Sequence, residues 1–252
     1  MNVWEALAIL GAGIGAGGIN AVVGSGTLFT FPVLLALGFP PITATISNSI
    51  GLAPGSFTGA VGYREELRGQ GPRLTRFGIM SFVGAITGGT LLLTLPAGVF
   101  ELVVPVLIGL ACVLILIQPR LARWLRGRRP AHPDGGPLLP FGVLGAGVYG
   151  GYFAAAQGIV LMSMLGTALD EDMQRLNALK NALTSIVNAT AAVFYMIFAQ
   201  PSWPVVGLIA AGSVIGGYVG ARLGRKLKPF ALRGLIVAVG LTAAIQLLME
   251  RF

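Results

Sequence analysis

Residues 7–37 read LAILGAGIGAGGINAVVGSGTLFTFPVLLAL, an uncharged apolar run interrupted by Gly24-Ser25-Gly26. As one helix the run would measure about 46 Å, half again the roughly 30 Å of a bilayer's hydrocarbon core. Two full crossings, however, need about 40 residues. A segment too long to cross once and too short to cross twice reads as a re-entrant hairpin of two short helices that starts and ends on the same side, turning at Gly24-Ser25-Gly26. The rival reading is a single long tilted span. The choice matters because a hairpin at this point makes the two halves of the chain inverted copies, whereas a span makes them parallel ones.

The surroundings fit a membrane solvent. The chain has 252 residues, 55% of them hydrophobic and 10% charged, with a mean hydropathy of +0.82; a water-soluble domain carries roughly 25% charged residues. Apolar stretches run over 7–37, 42–63, 77–95, 102–117, 138–169, 183–199, 205–219 and 235–249. So many in so short a chain imply a polytopic helical membrane protein. The net charge of +8 does not point to nucleic acid, because the basic residues flank apolar spans and have no aromatic residues interleaved with them. A small share of them is expected to meet anionic lipid headgroups of the bilayer. The start, Met1 to Glu5, has no basic region of the kind that opens a cleavable signal. With one cysteine, Cys112, and one histidine, His132, neither a disulfide nor a soft-metal site is expected, and no cofactor is called for.

A Gly/Pro-rich stretch, 127–137, divides two halves that echo each other. Leu10-Gly-Ala-Gly13 recurs as Leu144-Gly-Ala-Gly147, and at the same spacing Gly24 meets Gly158, Ala44 meets Ala178 and Ser47 meets Asn181; at a slightly shorter spacing Gly84, Gly88 and Gly89 match Gly212, Gly216 and Gly217. Sixteen of the seventeen Lys and Arg residues fall into four clusters: Arg64–Arg76, Arg120–Arg129, Arg175 with Lys180, and Arg222–Arg233. The hairpin reading places all four in the cytoplasm, leaves both termini outside the inner membrane, and satisfies the positive-inside rule. The parallel reading puts the Arg222–Arg233 cluster outside. The expected fold is thus all-α and polytopic, with two inverted-topology repeats, each a re-entrant helical hairpin followed by three transmembrane helices, over 1–118 and 140–252, joined by a cytoplasmic linker at 119–139. Such repeats around a polar centre are the architecture of secondary transporters.

Polar residues concentrate where that centre would lie. Gly24, Ser25 and Gly26 offer backbone amides at a helix start, where the helix dipole favours an anion, and Ser25 and Thr27 add hydroxyls. The plainer alternative is that the glycines only permit a tight turn. The following helix in each half has a polar stripe: Thr43, Thr45, Ser47, Asn48 and Ser49, then Asn177, Lys180, Asn181, Thr184, Ser185 and Asn188. These are substrate contacts or interhelical glue. Lys180 either faces the bundle interior or snorkels to the cytoplasmic surface. The nine Asp and Glu residues all fall in loops or at span ends, so the interior has no carboxylate to hold a cation, which favours an anionic substrate. The same absence excludes an intramembrane enzyme. Gly212, Gly216, Gly220 and Gly224 form a close-packing face, either within the chain or in a homodimer.

Gly24-Ser-Gly26-Thr27, Phe31-Pro32 and Pro41-x-x-Ala44-x-x-Ser47-Asn48 resemble the first repeat of the sulfite exporter TauE/SafE family of membrane transporters, and Gln174-x-x-Asn177-Ala-x-Lys180-Asn181 resembles its second. Two departures stand out. Ser25 replaces the middle glycine of the family's frequent run of three, and the second tip, Ala155-Ala-Gln-Gly158, holds one glycine, so an anion-binding role for Gln157 rests on position alone. The resemblance implies export of sulfite or of organosulfonates such as sulfoacetate by alternating access. Ser25, Gly26, Ser47, Asn48 and Asn181 would hold the anion, and Thr27, Thr184 and Ser185 would line its path. An anion channel, or a carrier of a carboxylate, a cation or a neutral metabolite, is the alternative.

Overall fold

The computed structural model describes residues 1–125, 134–223, 234 and 237–238. Among them are nine α-helices and no strand: α1 (Val3–Val22), α2 (Thr27–Ala36), α3 (Pro41–Gly62), α4 (Gly71–Thr94), α5 (Ala97–Leu125), α6 (Leu139–Tyr152), α7 (Gln157–Ala168), α8 (Met173–Phe198) and α9 (Trp203–Leu223). Nearly all of the apolar stretch 235–249, the basic residues from Arg225 to Arg233, and His132 lie outside the described residues.

Five of the helices, α1, α4, α5, α8 and α9, are long and apolar enough to cross a membrane. The 22 residues of α3 match them in length but not in hydropathy, because the Thr, Ser and Asn stripe lies along it. The side chains that these helices turn outward are large and apolar, among them Phe82, Leu102, Val106, Val113, Leu116 and Ile197. That is the face a lipid solvent requires.

Both opening segments fold back on themselves. In the first, a Cβ at Gly26 would lie 2.5 Å from the Ala16 carbonyl oxygen, and one at Gly15 would lie 2.8 Å from the Phe29 ring; as one residue number rises, its partner's falls. The second hairpin has the same sense: Gly150 packs on Gln157, Gly142 on Met164 and Gly135 on Ala168. The arms differ from expectation in two places. The helix α1 begins at Val3 and runs 20 residues, because Asn2 and Glu5 form a capping box that starts it before the apolar run does. The second turn occupies 153–156, just ahead of Gln157, which is the first residue of α7. The long helix α5 continues to Leu125, so the start of the 119–139 span read as linker is helical.

Glycine brings helices of different halves into backbone contact. A Cβ at Gly212 on α9 would lie 2.5 Å from the Leu10 carbonyl oxygen of α1, and a Cβ at Gly84 on α4 would lie 2.5 Å from the Leu144 carbonyl oxygen of α6. Gly216 meets Ile14 and Gly220 meets Gly18. The glycine face of α9 is therefore used within the chain; Gly224 lies outside the described residues.

One end of the bundle is tied by charge. Glu171, between α7 and α8, accepts from the Arg73 Nη1 of α4 at 2.6 Å and from the Arg175 Nε of α8 at 2.7 Å. Arg73 also reaches Asp134 at 3.2 Å. Arg175 donates to the Arg68 carbonyl oxygen, and the Gln70 side chain donates to the Arg175 carbonyl oxygen. Burial raises the Glu171 pKa, but the hydrogen bonds and charges of Arg175 and Arg73 outweigh it and hold the carboxyl below its ordinary value.

Candidate functional site

The two hairpin tips meet. The Gly158 N–H donates to the Gly24 carbonyl oxygen at 3.0 Å, and a Cβ on Gly24 would stand 2.5 Å from the Gly158 Cα. Gly24 also has φ +83°, so both its conformation and its contact require glycine there. Phe31 of α2 packs edge-on against Phe153 of the second tip, ring centroids 5.1 Å apart. The pairing of Gly24 with Gly158, legible as a repeat in the sequence, is thus a physical contact between the halves.

At the first tip the Gly26 and Thr27 amides make no backbone hydrogen bond among the described residues, whereas at the second the Gln157, Gly158 and Ile159 amides donate to the Ala154, Gly24 and Ala156 carbonyl oxygens. Gly26, the residue before α2, supplies no side-chain cap. At the second tip Ala154 and Ala156 both hold positive φ, 64° and 58°. For alanine that is a strained backbone. The Tyr149 hydroxyl donates to the Ala155 carbonyl oxygen and holds the turn.

The candidate residues separate into two groups by what their side chains bond. Asn48 donates to Thr27 Oγ1 at 3.2 Å and accepts from Thr30, which braces α2 on α3. Asn181 donates to the Ala21 carbonyl oxygen at 3.2 Å, tying α8 to the end of α1. Ser47 accepts from the Ser202 backbone N–H at 2.9 Å; it serves the connection between α8 and α9 and stands apart from the Asn48 contacts.

The second group is buried and unmet. Ser25 Oγ, both amide atoms of Gln157, Lys180 Nζ and Thr184 Oγ1 have no hydrogen-bond partner among the described residues. Ser81 Oγ on α4 is in the same condition. Unsatisfied polar groups are uncommon in native interiors, and each calls for an explanation such as a ligand or a solvent molecule. Ser25 and Gln157 are the tip residues themselves. Lys180 and Thr184 lie one turn apart on α8 and so share a face; α7, which Gln157 begins, packs against that helix.

Lys180 does not snorkel. Its relative exposure is 1%, and it is the only charged residue among the buried polar side chains described. Its neighbours along the stripe, Asn181, Thr184 and Ser185, are also buried. An ammonium in such a place attracts an anion strongly, because water does not screen it.

Sequence reasoning missed three participants. Ser56 of α3 accepts from Asn188 of α8 at 2.6 Å and from Asn20 of α1 at 3.0 Å, forming a polar node of three helices. Thr30 completes the clasp on Asn48, and Ser81 adds an unmet hydroxyl. Each is a lone small polar residue in an apolar run, a signal too weak to separate from ordinary interhelical bonding.

The chain is similar to several membrane transporters. The chain is 25% identical over 243 residues to "Probable membrane transporter protein YfcA" of Escherichia coli (strain K12), covering 93% of this chain and 86% of that one. It is 24% identical over 208 residues to a "Probable membrane transporter protein" of Haemophilus influenzae, covering 81% and 79%. With "Probable membrane transporter protein ORF9" of a Sinorhizobium species it shares 24% over 241 residues, covering 93% and 89%. No solved structure matches. Residues 9–247 match the family described as Sulfite exporter TauE/SafE, and the chain belongs to that family of multi-pass membrane transporters.

Proposed function

We propose that the chain is a secondary carrier that exports a small sulfur oxyanion or organosulfonate by alternating access. The observation that carries this reading is the set of buried, unmet polar groups: Ser25 and Gln157 at the two touching hairpins, and Lys180 and Thr184 on α8. Their combined chemistry is several neutral hydrogen-bonding groups and one cation, which complements a compact anion. The three oxygens of a sulfonate or sulfite would accept from Ser25, the Gln157 amide, Thr184 and the first amides of α2, including those of Gly26 and Thr27. Asn48 and Asn181, already bonded, hold the tips and α8 in place. Ser185 borders the same path.

Burial of these groups favours a carrier over a channel, since a conducting pore would leave them wet. The paired contacts of Leu10 with Gly212 and of Leu144 with Gly84 join equivalent residues of the two proposed repeats, whichever their sense; inversion is supported by the Arg73–Glu171 pair, which sets the starts of α4 and α8 at one end of the bundle. In that orientation the Arg73–Glu171–Arg175 cluster lies on the cytoplasmic side.

The test is thermal stabilisation of the purified protein by a panel of sulfite, sulfoacetate, sulfate, phosphate and simple cations. Selective stabilisation by sulfite or a sulfonate, reduced in Ser25→Ala and Gln157→Leu proteins, is expected. Stabilisation by a cation, with no response to any anion, would overturn the reading.

A further inference from the structure

We propose that Lys180 ties anion binding to proton uptake, so that the substrate anion and a proton occupy the carrier together. This rests on the anion reading of the site above and extends it to the coupling ion.

The argument begins from what surrounds the amine. Lys180 Nζ makes no hydrogen bond among the described residues, and it takes no part in the Met1–Glu5, Arg73–Asp134, Arg73–Glu171 or Arg175–Glu171 ion pairs. The helices packed against α8 are α3, α4, α6 and α7. Neither α3 nor α7 carries an Asp, Glu, His, Lys or Arg. The titratable groups of α6 are Tyr149, which donates to the Ala155 carbonyl oxygen, and Tyr152, which packs on Phe100. On α4 they are Arg73, held by Glu171 and Asp134, and Arg76, which sits over the Phe77 ring. On α8 itself, Arg175 pairs with Glu171 and the Tyr195 hydroxyl donates to the Gly151 carbonyl oxygen. The connection between α3 and α4, which meets α8 through Tyr63 and Ala178, adds Arg64, Glu65, Glu66 and Arg68, and none of the groups described acts on Lys180 as a counter-charge.

An ammonium buried this fully without an anion costs several kcal/mol, a penalty that the amine avoids by releasing its proton. A bound sulfonate supplies the missing charge and reverses the preference. The empty carrier therefore holds Lys180 as a neutral amine. The loaded one holds it as an ammonium beside the anion, with the proton drawn from water on whichever side the site is open. Because the loaded form has the higher proton affinity, anion affinity is strongest at low pH and falls as pH rises. A monovalent anion moving with this proton carries no net charge, so export by this cycle is driven by the anion's own concentration gradient and opposed by an inward proton gradient.

The measurement is calorimetric titration of the purified protein with methanesulfonate, a permanent anion, between about pH 6 and about pH 9, in pairs of buffers with different ionisation enthalpies. The buffer dependence of the heat counts the protons taken up. Uptake rising towards a proton per anion at the alkaline end is expected. Affinity should fall there by up to about tenfold per pH unit. In Lys180→Arg, whose guanidinium stays protonated throughout, affinity should be independent of pH and proton uptake absent. Methanesulfonate binding with no uptake and a flat pH profile would overturn the coupling while leaving the anion site intact, as would a Lys180→Met protein that takes up protons like the wild type. Failure of methanesulfonate, sulfite and sulfoacetate alike to bind the wild type would overturn both the site and the coupling.

Discussion

At the scale of single residues, the distinction between met and unmet polar groups separates structure from function. Asn48 is bonded to both Thr27 and Thr30, so Asn48→Ala strips the buried Thr27 hydroxyl of its partner and leaves Thr30 only its long bond to the Gly26 carbonyl oxygen. It should lower stability by about 0.5–2 kcal/mol. Ser25 has no partner to lose, so Ser25→Ala should leave the melting temperature unchanged or raise it, while weakening anion binding. Melting curves with and without sulfite separate the two; a Ser25→Ala protein that melts early yet binds normally would make Ser25 structural. Much of this was legible in the chain, since Ser25, Gln157, Lys180 and Thr184 stand out as polar positions at glycine breaks or on a helix stripe. What pattern could not reveal is which of them find partners. Ser47 looked equivalent to Asn48 but bonds Ser202, 155 positions away, and no local periodicity encodes such a contact.

At the scale of elements, the hairpins follow from length: 31 residues can neither cross once comfortably nor cross twice. Their ends were less legible. The polar Asn2–Glu5 box starts α1 outside the apolar run that marked it. Glycine usually marks a turn, which points to Gly158 in the second tip, whereas the chain turns through alanines at 154 and 156. That choice has a measurable cost. A non-glycine residue in the left-handed region is disfavoured by roughly 1–2 kcal/mol, and glycine's larger unfolded-state entropy offsets part of any relief. Ala156→Gly should therefore raise stability by about 0.5–1 kcal/mol in chemical denaturation. An unchanged or lower stability would mean that the turn is not held in this conformation. The Glu171 cluster adds a pH dependence between elements. Its carboxyl titrates below the ordinary value of about 4.3, so its stabilisation is complete above that value and is lost as pH falls through the lower, folded-state value. Hydrogen exchange at the starts of α4 and α8 should accelerate selectively in that acid window. In Glu171→Gln it should already be fast at neutral pH.

At the scale of the whole molecule, orientation is the property on which the transport reading depends, and it can be tested without knowing the substrate. Residues near the first basic cluster and near the end of α9 share a side only if the halves are inverted. In that arrangement Glu65 and Arg222 face the cytoplasm, while Gly98 and Ser202 face outward. Parallel repeats would exchange the sides of Arg222 and Ser202 and leave the other two unchanged. Cys112 is the sole native cysteine and is buried, so single cysteines at 65, 98, 202 and 222 can be introduced with Cys112→Ser and probed in intact cells with a membrane-impermeant maleimide. Labelling at 98 and 202, with protection at 65 and 222 until the membrane is permeabilised, is the expected result. Labelling at 222 with protection at 202 would establish parallel halves. The two touching tips would then be related by an axis along the membrane normal, and both hairpins would have to be reinterpreted as crossings. Inversion would instead bring the tips together from opposite faces of the bilayer. It would give the proposed site one hairpin to gate each side, and would set Ser25 and Gln157 where either movement exposes them.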